Sequence, residues 1–127
     1  MGFRKRRGRT YSKAVRRQGV MNQTEKWYYD TVLKPRLASG DLLKAEFETV
    51  QLILVHPDKE TGRRSSTYLP DFYCVNKDGE TEIIEIKGPP PDAADRLKIK
   101  MASEQKPEWH FKMVQVGSKR IRKEESF

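Results

Sequence analysis

The sequence predicts a mixed α/β domain, in which helices flank a central mixed β-sheet and the elements follow the order helix, three strands, helix, strand. Apolar residues recur at helical spacing between Asn22 and about Ala38, and three runs rich in strand-forming residues follow. A proline-broken connection then leads to a second helical pattern and a last strand. A crossover helix before the last strand makes the sheet mixed, and 127 residues suffice for one domain with a modest core.

The first helix is indicated by its start signal and its apolar spacing. Asn22 followed by Glu25 has the spacing of a capping box. Pro35 is expected to kink or end the helix, and the sequence ASGD at 38–41 closes the segment. The residues that recur at helical spacing are Trp27, Tyr28, Val32 and Leu33.

Three strand-like runs follow: KAEFETVQLILVH at 44–56, TYLPDFYCV at 67–75 and ETEIIEIKG at 80–88. The second and third are joined by NKDG, a tight hairpin turn. We expect the third strand to lie at or near the centre of the sheet. Side chains alternate along it, so Ile84 and Ile86 point to one face while Ile83, Glu85 and Lys87 share the other.

The last part of the chain begins after three prolines. Asp92 is a plausible cap for a helix running to about Glu104, and WHFKMVQV at 109–116 is the last predicted strand. The predicted organisation is a basic, flexible arm (1–20), a folded domain (21–118) and a C-terminal tail of mixed charge (119–127).

The excess positive charge lies in the N-terminal arm. Residues 1–20 hold eight of the 26 Lys and Arg residues and no acidic residue, so the other 18 balance the 18 acidic residues and the net charge of +8 belongs to the arm. Clustered arginines displace counterions from nucleic acid phosphates, and this predicts a DNA-binding arm. A solubilising arm or an arm that binds anionic membrane is the alternative. The predicted DNA-binding residues are Arg4, Lys5, Arg6, Arg7, Arg9, Arg16 and Arg17.

The cysteine, histidine and apolar content further narrows the class of protein. A lone cysteine, Cys74, excludes an internal disulfide and favours a reducing, cytoplasmic compartment. His56 and His110 are too far apart in the sequence to suggest a zinc site with it. No apolar run approaches the roughly 18 residues of a membrane span.

Three polar side chains occupy positions where strands normally place packing residues. The predicted hairpin brings Asp71 back toward Glu85 and Lys87. Magnesium prefers hard oxygen ligands, which the two carboxylates and the backbone carbonyl of Ile86 can supply. Lys87 would orient the attacking water or neutralise charge on a phosphate. The alternatives without a catalytic role are that Asp71 is a turn residue and that Glu85 and Lys87 lie on a charged edge strand.

These residues resemble a known family. Pro70-Asp71, with Glu85-Ile86-Lys87 beginning fourteen residues after the aspartate, resembles the signature of the PD-(D/E)xK nuclease superfamily. TYLPDF, EIKG, DRLKIKMASEQKPEW and HFKMVQV occur in the order found in phage endonuclease I, a family of Holliday-junction resolvases, and the likeness covers residues 22–117. It implies a restriction-endonuclease-like fold and an Mg²⁺-dependent endonuclease, with Mn²⁺ able to substitute. It also implies a homodimer that cuts branched DNA or four-way junctions in a bacterial or phage-infected cell.

The family also uses a glutamate on the helix before the first strand. Glu25 is the matching position by order, although a capping-box glutamate needs no catalytic role. Glu46 and Glu48, on the first predicted strand, are the competing candidates.

The role of several basic residues of the predicted domain has two interpretations. Arg96, Lys98 and Lys100 on the second helix contact phosphate or form a solvated face, and Arg63 and Arg64 in a loop are equally open. Two other functions also stay open. One is a nicking or restriction-like nuclease that acts on ordinary duplex DNA, and the other is a catalytically silent nucleic-acid-binding module.

Overall fold

A five-stranded mixed sheet forms the centre of the computed structural model, which describes residues 19–127. The helical elements are α1 (Gln23–Tyr28), a π-helical segment (Tyr29–Leu33), α2 (Lys34–Ser39) and α3 (Ala93–Gln105). The strands are β1 (Leu42–Phe47), β2 (Leu52–Val55), β3 (Ser66–Tyr68), β4 (Phe72–Asn76), β5 (Thr81–Lys87), β6 (His110–Val116) and β7 (Ile121–Ser126). No helix in this range is long and apolar enough to cross a membrane.

The order of strands in the main sheet is β1-β4-β5-β6-β7, with β5 in the middle. The β4–β5 hairpin is antiparallel, and its turn includes Gly79 at φ 80°. Helix α3 connects β5 to β6, and these two strands pair in parallel. Strands β2 and β3 form a separate two-stranded sheet. The predicted mixed sheet, with the ETEIIEIKG run at its centre, is therefore confirmed.

Apolar residues cover both faces of the sheet. Ile84 and Ile86 belong to a core cluster that includes Tyr28 and Leu33 from the first helical segment. Ile83 belongs to the opposite cluster, which includes Ile99 of α3. The predicted alternation along β5 is confirmed. Glu85 and Lys87 consequently lie on the face that α3 covers.

The first helical segment begins as the sequence predicts, continues past Pro35 and ends at Ser39, close to the predicted end at about Ala38. Asn22 and Glu25 form a capping box, in which each side chain accepts a hydrogen bond from the backbone N–H of the other. In the π-helical segment the N–H of Lys34 bonds to the carbonyl of Tyr29, five residues back. This widened turn directly precedes Pro35, which lacks an N–H, and Gly40 with φ 85° caps the end of the helix.

Two of the predicted strands were wrong in extent, because each is divided between the two sheets. The run 44–56 becomes β1 in the main sheet and β2 in the small one, with Glu48 between them at φ 54°. The run 67–75 becomes β3 and β4, separated at Pro70, which has no N–H for a strand ladder. Asp71 therefore lies immediately before β4 and outside the strand.

The predicted C-terminal tail contains a strand, so the predicted element order was incomplete. Strand β7 pairs antiparallel with β6 at the edge of the sheet. The backbone N–H of Phe127 also donates to the carbonyl of Phe111. Strand β7 is highly charged and shows no apolar alternation, so the sequence pattern did not predict it, although charge is common on edge strands.

Candidate active site

Asp71 is held in place at both its backbone and its side chain. Its carbonyl accepts a hydrogen bond from Glu48 N at 2.8 Å, and its Oδ2 accepts one from Ile86 N at 2.8 Å. The side chain is buried, with 7% of the residue exposed. Because Phe72 pairs with Ile84 in the hairpin, Asp71 lies level with the end of β5 that carries Glu85.

Glu85 and Lys87 are next to each other on the face beneath α3. Glu85 Oε1 accepts a hydrogen bond from the Tyr68 hydroxyl at 2.9 Å, and Glu85 Oε2 lies 3.8 Å from Lys87 Nζ. Lys87 Nζ donates to Asp95 Oδ1 at 3.0 Å. The structure thus brings together the three side chains that the sequence places in one site.

The positive charge of Lys87 only partly offsets the cost of burying the two carboxyl groups of this site. Burial raises the pKa of Asp71 to about 8, and the nearby Glu85 carboxylate adds to this effect while the Ile86 N–H opposes it. Burial also raises the pKa of Glu85, against the opposing effects of Lys87 and the Tyr68 hydroxyl. Two buried acids, of which Glu85 disfavours the ionisation of Asp71, form a place where a cation is stabilised.

Lys87 carries a positive charge in this setting. Burial alone lowers the pKa of its amine, but the hydrogen bond to Asp95 and the charge of Glu85 outweigh burial and raise it. Burial raises the pKa of Asp95, but the hydrogen bond and charge of Lys87 and the hydrogen bonds with Asp92 together outweigh burial and lower it. Lys87 and Asp95 therefore form an ion pair that fixes the ammonium beside Glu85.

Asp95 and Tyr68 are site residues that the sequence did not reveal. Asp95 lies in the first turn of α3, where its Oδ2 accepts from Asp92 N at 3.1 Å and its N–H donates to Asp92 Oδ1 at 2.8 Å. The Asp-x-x-Asp spacing in the sequence suggests this cap. Its contact with Lys87 depends on how α3 packs on the sheet, and no local sequence pattern predicts this packing.

A cleft of about 350 Å³ opens beside these residues. Tyr68, Glu85, Lys87, Asp95 and Lys98 line it, together with Thr67 and Leu69. A larger cleft of about 480 Å³ lies at the opposite end of β5 and β6, with Glu82 and His110 in its wall, and contains no predicted site residue. The cleft therefore gives room for a ligand next to Glu85 and Lys87 on the α3 side of the sheet, whereas Asp71 does not line it.

The three candidate glutamates differ in their relation to Asp71. Glu25 is buried, with 5% exposed, and its charge contributes to the raised pKa of Asp71. It also caps α1, because its Oε1 accepts from Asn22 N at 2.9 Å. Glu46 Oε1 accepts from the Thr49 hydroxyl, and Glu48 Oε1 accepts from Gly19 N. Of the three, Glu25 is therefore the glutamate whose charge acts on the Asp71 carboxyl.

No group of three or more His, Cys, Asp or Glu side chains within residues 19–127 is arranged to hold a metal ion. A magnesium site often takes only one or two protein carboxylates, with water and substrate as the other ligands. Ile86 donates its N–H to Asp71 and packs its side chain in the core. The role of its carbonyl as a metal ligand stays a prediction.

The predicted DNA-binding residues of the described domain lie in two places, on α3 and in the connection between β2 and β3. Lys98 lines the cleft, Lys100 is exposed, and Arg96 forms an ion pair with Glu125. Arg63 and Arg64 lie in the exposed connection between β2 and β3, where Arg63 Nε donates to the His56 carbonyl. The predicted arm residues Arg4, Lys5, Arg6, Arg7, Arg9, Arg16 and Arg17 lie outside the described residues.

Three comparisons with known proteins gave no match. No protein-family model matches the chain, and neither a curated protein nor a solved structure is detectably similar to it.

Proposed function

We propose that this protein is a metal-dependent endonuclease that hydrolyses phosphodiester bonds in DNA. The observation that carries the proposal is the pair of buried carboxyls, Asp71 and Glu85, beside the Lys87 ammonium. Two acids and a lysine on one end of a strand hairpin, with a parallel strand and a crossover helix next to it, are the features expected of a restriction-endonuclease-like nuclease of the PD-(D/E)xK type.

The chemistry of the donor groups fits a small divalent cation. Asp71 Oδ2 accepts a hydrogen bond from the Ile86 N–H and Glu85 Oε1 accepts one from the Tyr68 hydroxyl. The second oxygen of Glu85 lies 3.8 Å from Lys87 Nζ, a distance longer than a hydrogen bond. Asp71, Glu85 and the Ile86 carbonyl are the groups that would hold Mg²⁺, or Mn²⁺ in its place. A bound ion of this kind polarises a phosphoryl oxygen and lowers the pKa of water.

The protein's own residues supply positioning and charge. Lys87 presents an ammonium at the cleft, where it can orient a water molecule or offset charge on a phosphate. Asp95 restrains that ammonium, and Tyr68 restrains the Glu85 carboxylate. Glu25 adds negative charge next to Asp71 and is the candidate to complete the acidic set.

The substrate that we propose is branched DNA, with four-way junctions as the leading candidate, as in the phage endonuclease I family. A junction resolvase makes two cuts, and we therefore propose a homodimer whose two sites are related by symmetry. The basic arm of residues 1–20 would bind DNA phosphates. The proposed setting is the cytoplasm of a bacterial or phage-infected cell.

The decisive experiment compares synthetic four-way junctions with supercoiled plasmid, in Mg²⁺ and in EDTA. Paired symmetric cuts in the junction arms, abolished by EDTA, are the expected result. Plasmid nicks without junction preference indicate a duplex nuclease instead. Binding without cleavage in any divalent metal indicates a silent binding module and overturns the proposal.

Two variants locate the activity. Asp71→Asn should abolish cleavage and leave DNA binding nearly intact, because it removes a candidate metal ligand and little volume. Asp78→Asn is the matched control, since Asp78 is exposed in the turn at the other end of the β4–β5 hairpin. A calorimetric titration with Mn²⁺ in the absence of DNA should lose its heat in the first variant and keep it in the second.

A further inference from the structure

A second basic surface lies beside the candidate active site on the same face of the sheet. Lys87 of β5 pairs with Gln115 of β6, and Gln115 pairs in turn with Lys123 of β7. Directly paired residues on neighbouring strands point to the same face. Since neighbouring strands lie about 4.8 Å apart, the Cα atom of Lys123 is roughly 10 Å from that of Lys87.

Helix α3 adds two more cations to this surface. Arg96 forms an ion pair with Glu125 of β7. The pKa of Glu125 is lowered, first by its hydrogen bond to Arg96 and also by the charges of Lys123 and Lys100. Three cations therefore surround one carboxylate. We call Arg96, Lys100 and Lys123 the basic patch.

Two members of the basic patch line a cleft. The cleft of about 110 Å³ is lined by Arg96, Gln115, Lys123 and Glu125, together with Pro90, Pro91 and Met113. Lys100 and Lys123 are exposed, and Glu125 offsets only one of the three positive charges. The patch is thus accessible to a polyanion and carries a net positive charge next to Lys87.

The spacing suits one strand of DNA. Each strand of duplex DNA carries a phosphate about every 3.4 Å along the axis, so 10 Å spans roughly three phosphates. We propose that the basic patch binds a backbone phosphate about three nucleotides from the one that is cut at the Glu85–Lys87 site. Gln115, between them, offers a neutral hydrogen-bond donor to the connecting strand. This inference rests on the proposed nuclease function and adds the path of the substrate strand.

The test measures DNA binding by the full chain under conditions in which no cleavage occurs. The Asp71→Asn protein in EDTA is titrated with a labelled four-way junction at several salt concentrations, alone and with Lys123→Gln or Lys100→Gln added. Lys77→Gln, in the β4–β5 turn at the far end of β5, is the control with the same change of charge. Losing one phosphate contact should reduce the slope of log K against log salt by about 0.9 and weaken binding roughly threefold to tenfold.

A second readout separates binding from chemistry. In the otherwise unaltered enzyme, Lys123→Gln should raise KM and leave kcat unchanged, and Lys123→Arg should restore KM. Melting temperatures of all variants check that β7 stays folded. If Lys123→Gln and Lys100→Gln give the same salt slope and KM as Lys77→Gln while the enzyme still cuts DNA, the strand path is wrong and the nuclease function stands. If the unaltered protein cuts no DNA, the nuclease function itself is wrong.

Discussion

At the scale of single residues, Asp71 has an unusual environment for a carboxyl group. Its carboxyl is buried next to Glu85, and the hydrogen bond from Ile86 and the charge of Lys87 do not offset the effects of burial and of Glu85 on its pKa. A group in such a place lowers the stability of the fold when it ionises. Perturbed acids of this kind cluster at functional sites, where a ligand relieves the strain.

The first prediction concerns the stability of the metal-free protein. Because the pKa of Asp71 is raised to about 8, the folded state holds a proton on this group that the unfolded state has lost between about pH 4 and pH 8. The free energy of unfolding should fall as pH rises through this window. Asp71→Asn should remove part of the decline and stabilise the protein at pH 8 by about 1–2 kcal/mol. Urea denaturation in EDTA at pH 5 and pH 8 measures this.

Asp78→Asn again serves as the control, because Asp78 is exposed and distant from the site. Parallel pH profiles for the unaltered protein and the Asp71→Asn variant would show that the Asp71 carboxyl is ionised without cost, and would remove the physical reason for a cation beside it.

The second prediction separates the two roles of Asp95. Asp95→Asn removes the ion pair that raises the pKa of Lys87, so the alkaline limb of the pH–rate profile for cleavage should move to lower pH, with a loss of rate of roughly tenfold. Asp92→Asn changes the other member of the same helix cap without touching Lys87. An equal effect of the two substitutions on the profile would mean that Asp95 acts only through the helix cap.

At the scale of elements, the sequence predicts features that depend on local pattern better than features that depend on long-range strand pairing. The alternation Ile83-Ile84-Glu85-Ile86 predicts both faces of β5, because each residue's environment is set by its own position in the strand. The sequence around Pro70 reads as one strand, and its division between two sheets depends on partners that lie far away in the chain. The site follows the same rule: Asp71 and Lys87 belong to a local hairpin motif, whereas Asp95 comes from another element.

Strand β7 yields the third prediction. It pairs along β6, which contributes the buried Met113, Val114 and Val116 to the two cores. Ending the chain after Ser118 removes this ladder, and hydrogen bonds of this kind each contribute about 1 kcal/mol. We expect the free energy of unfolding to fall by about 2 kcal/mol or more. Ile121→Ser is the milder comparison, because it keeps the backbone ladder and 37% of Ile121 is exposed. An unchanged denaturation curve for the truncated chain would show that residues 119–127 act as a tail.

At the scale of the whole molecule, positive charge and chemistry occupy different parts of the chain. The residues after position 20 have as many acidic as basic side chains, so the net charge of +8 belongs to the N-terminal arm. Long-range attraction to DNA is therefore expected to come from the arm. The domain instead holds individual charged side chains at fixed positions around the cleft. This division predicts that affinity and catalytic rate can be changed separately.

Removal of residues 1–18 is the fourth prediction and tests this division. Each lost phosphate contact reduces the salt slope by about 0.9, and the removed segment holds eight basic residues, so the slope should fall by several units. The cleavage rate at saturating DNA should stay within about twofold, because Asp71, Glu85 and Lys87 are held by β4, β5 and α3. Filter binding over a range of salt concentrations and single-turnover cleavage measure the two quantities. An unchanged slope would show that the arm does not contact phosphate, and a lost rate at saturation would place the arm in the catalytic step.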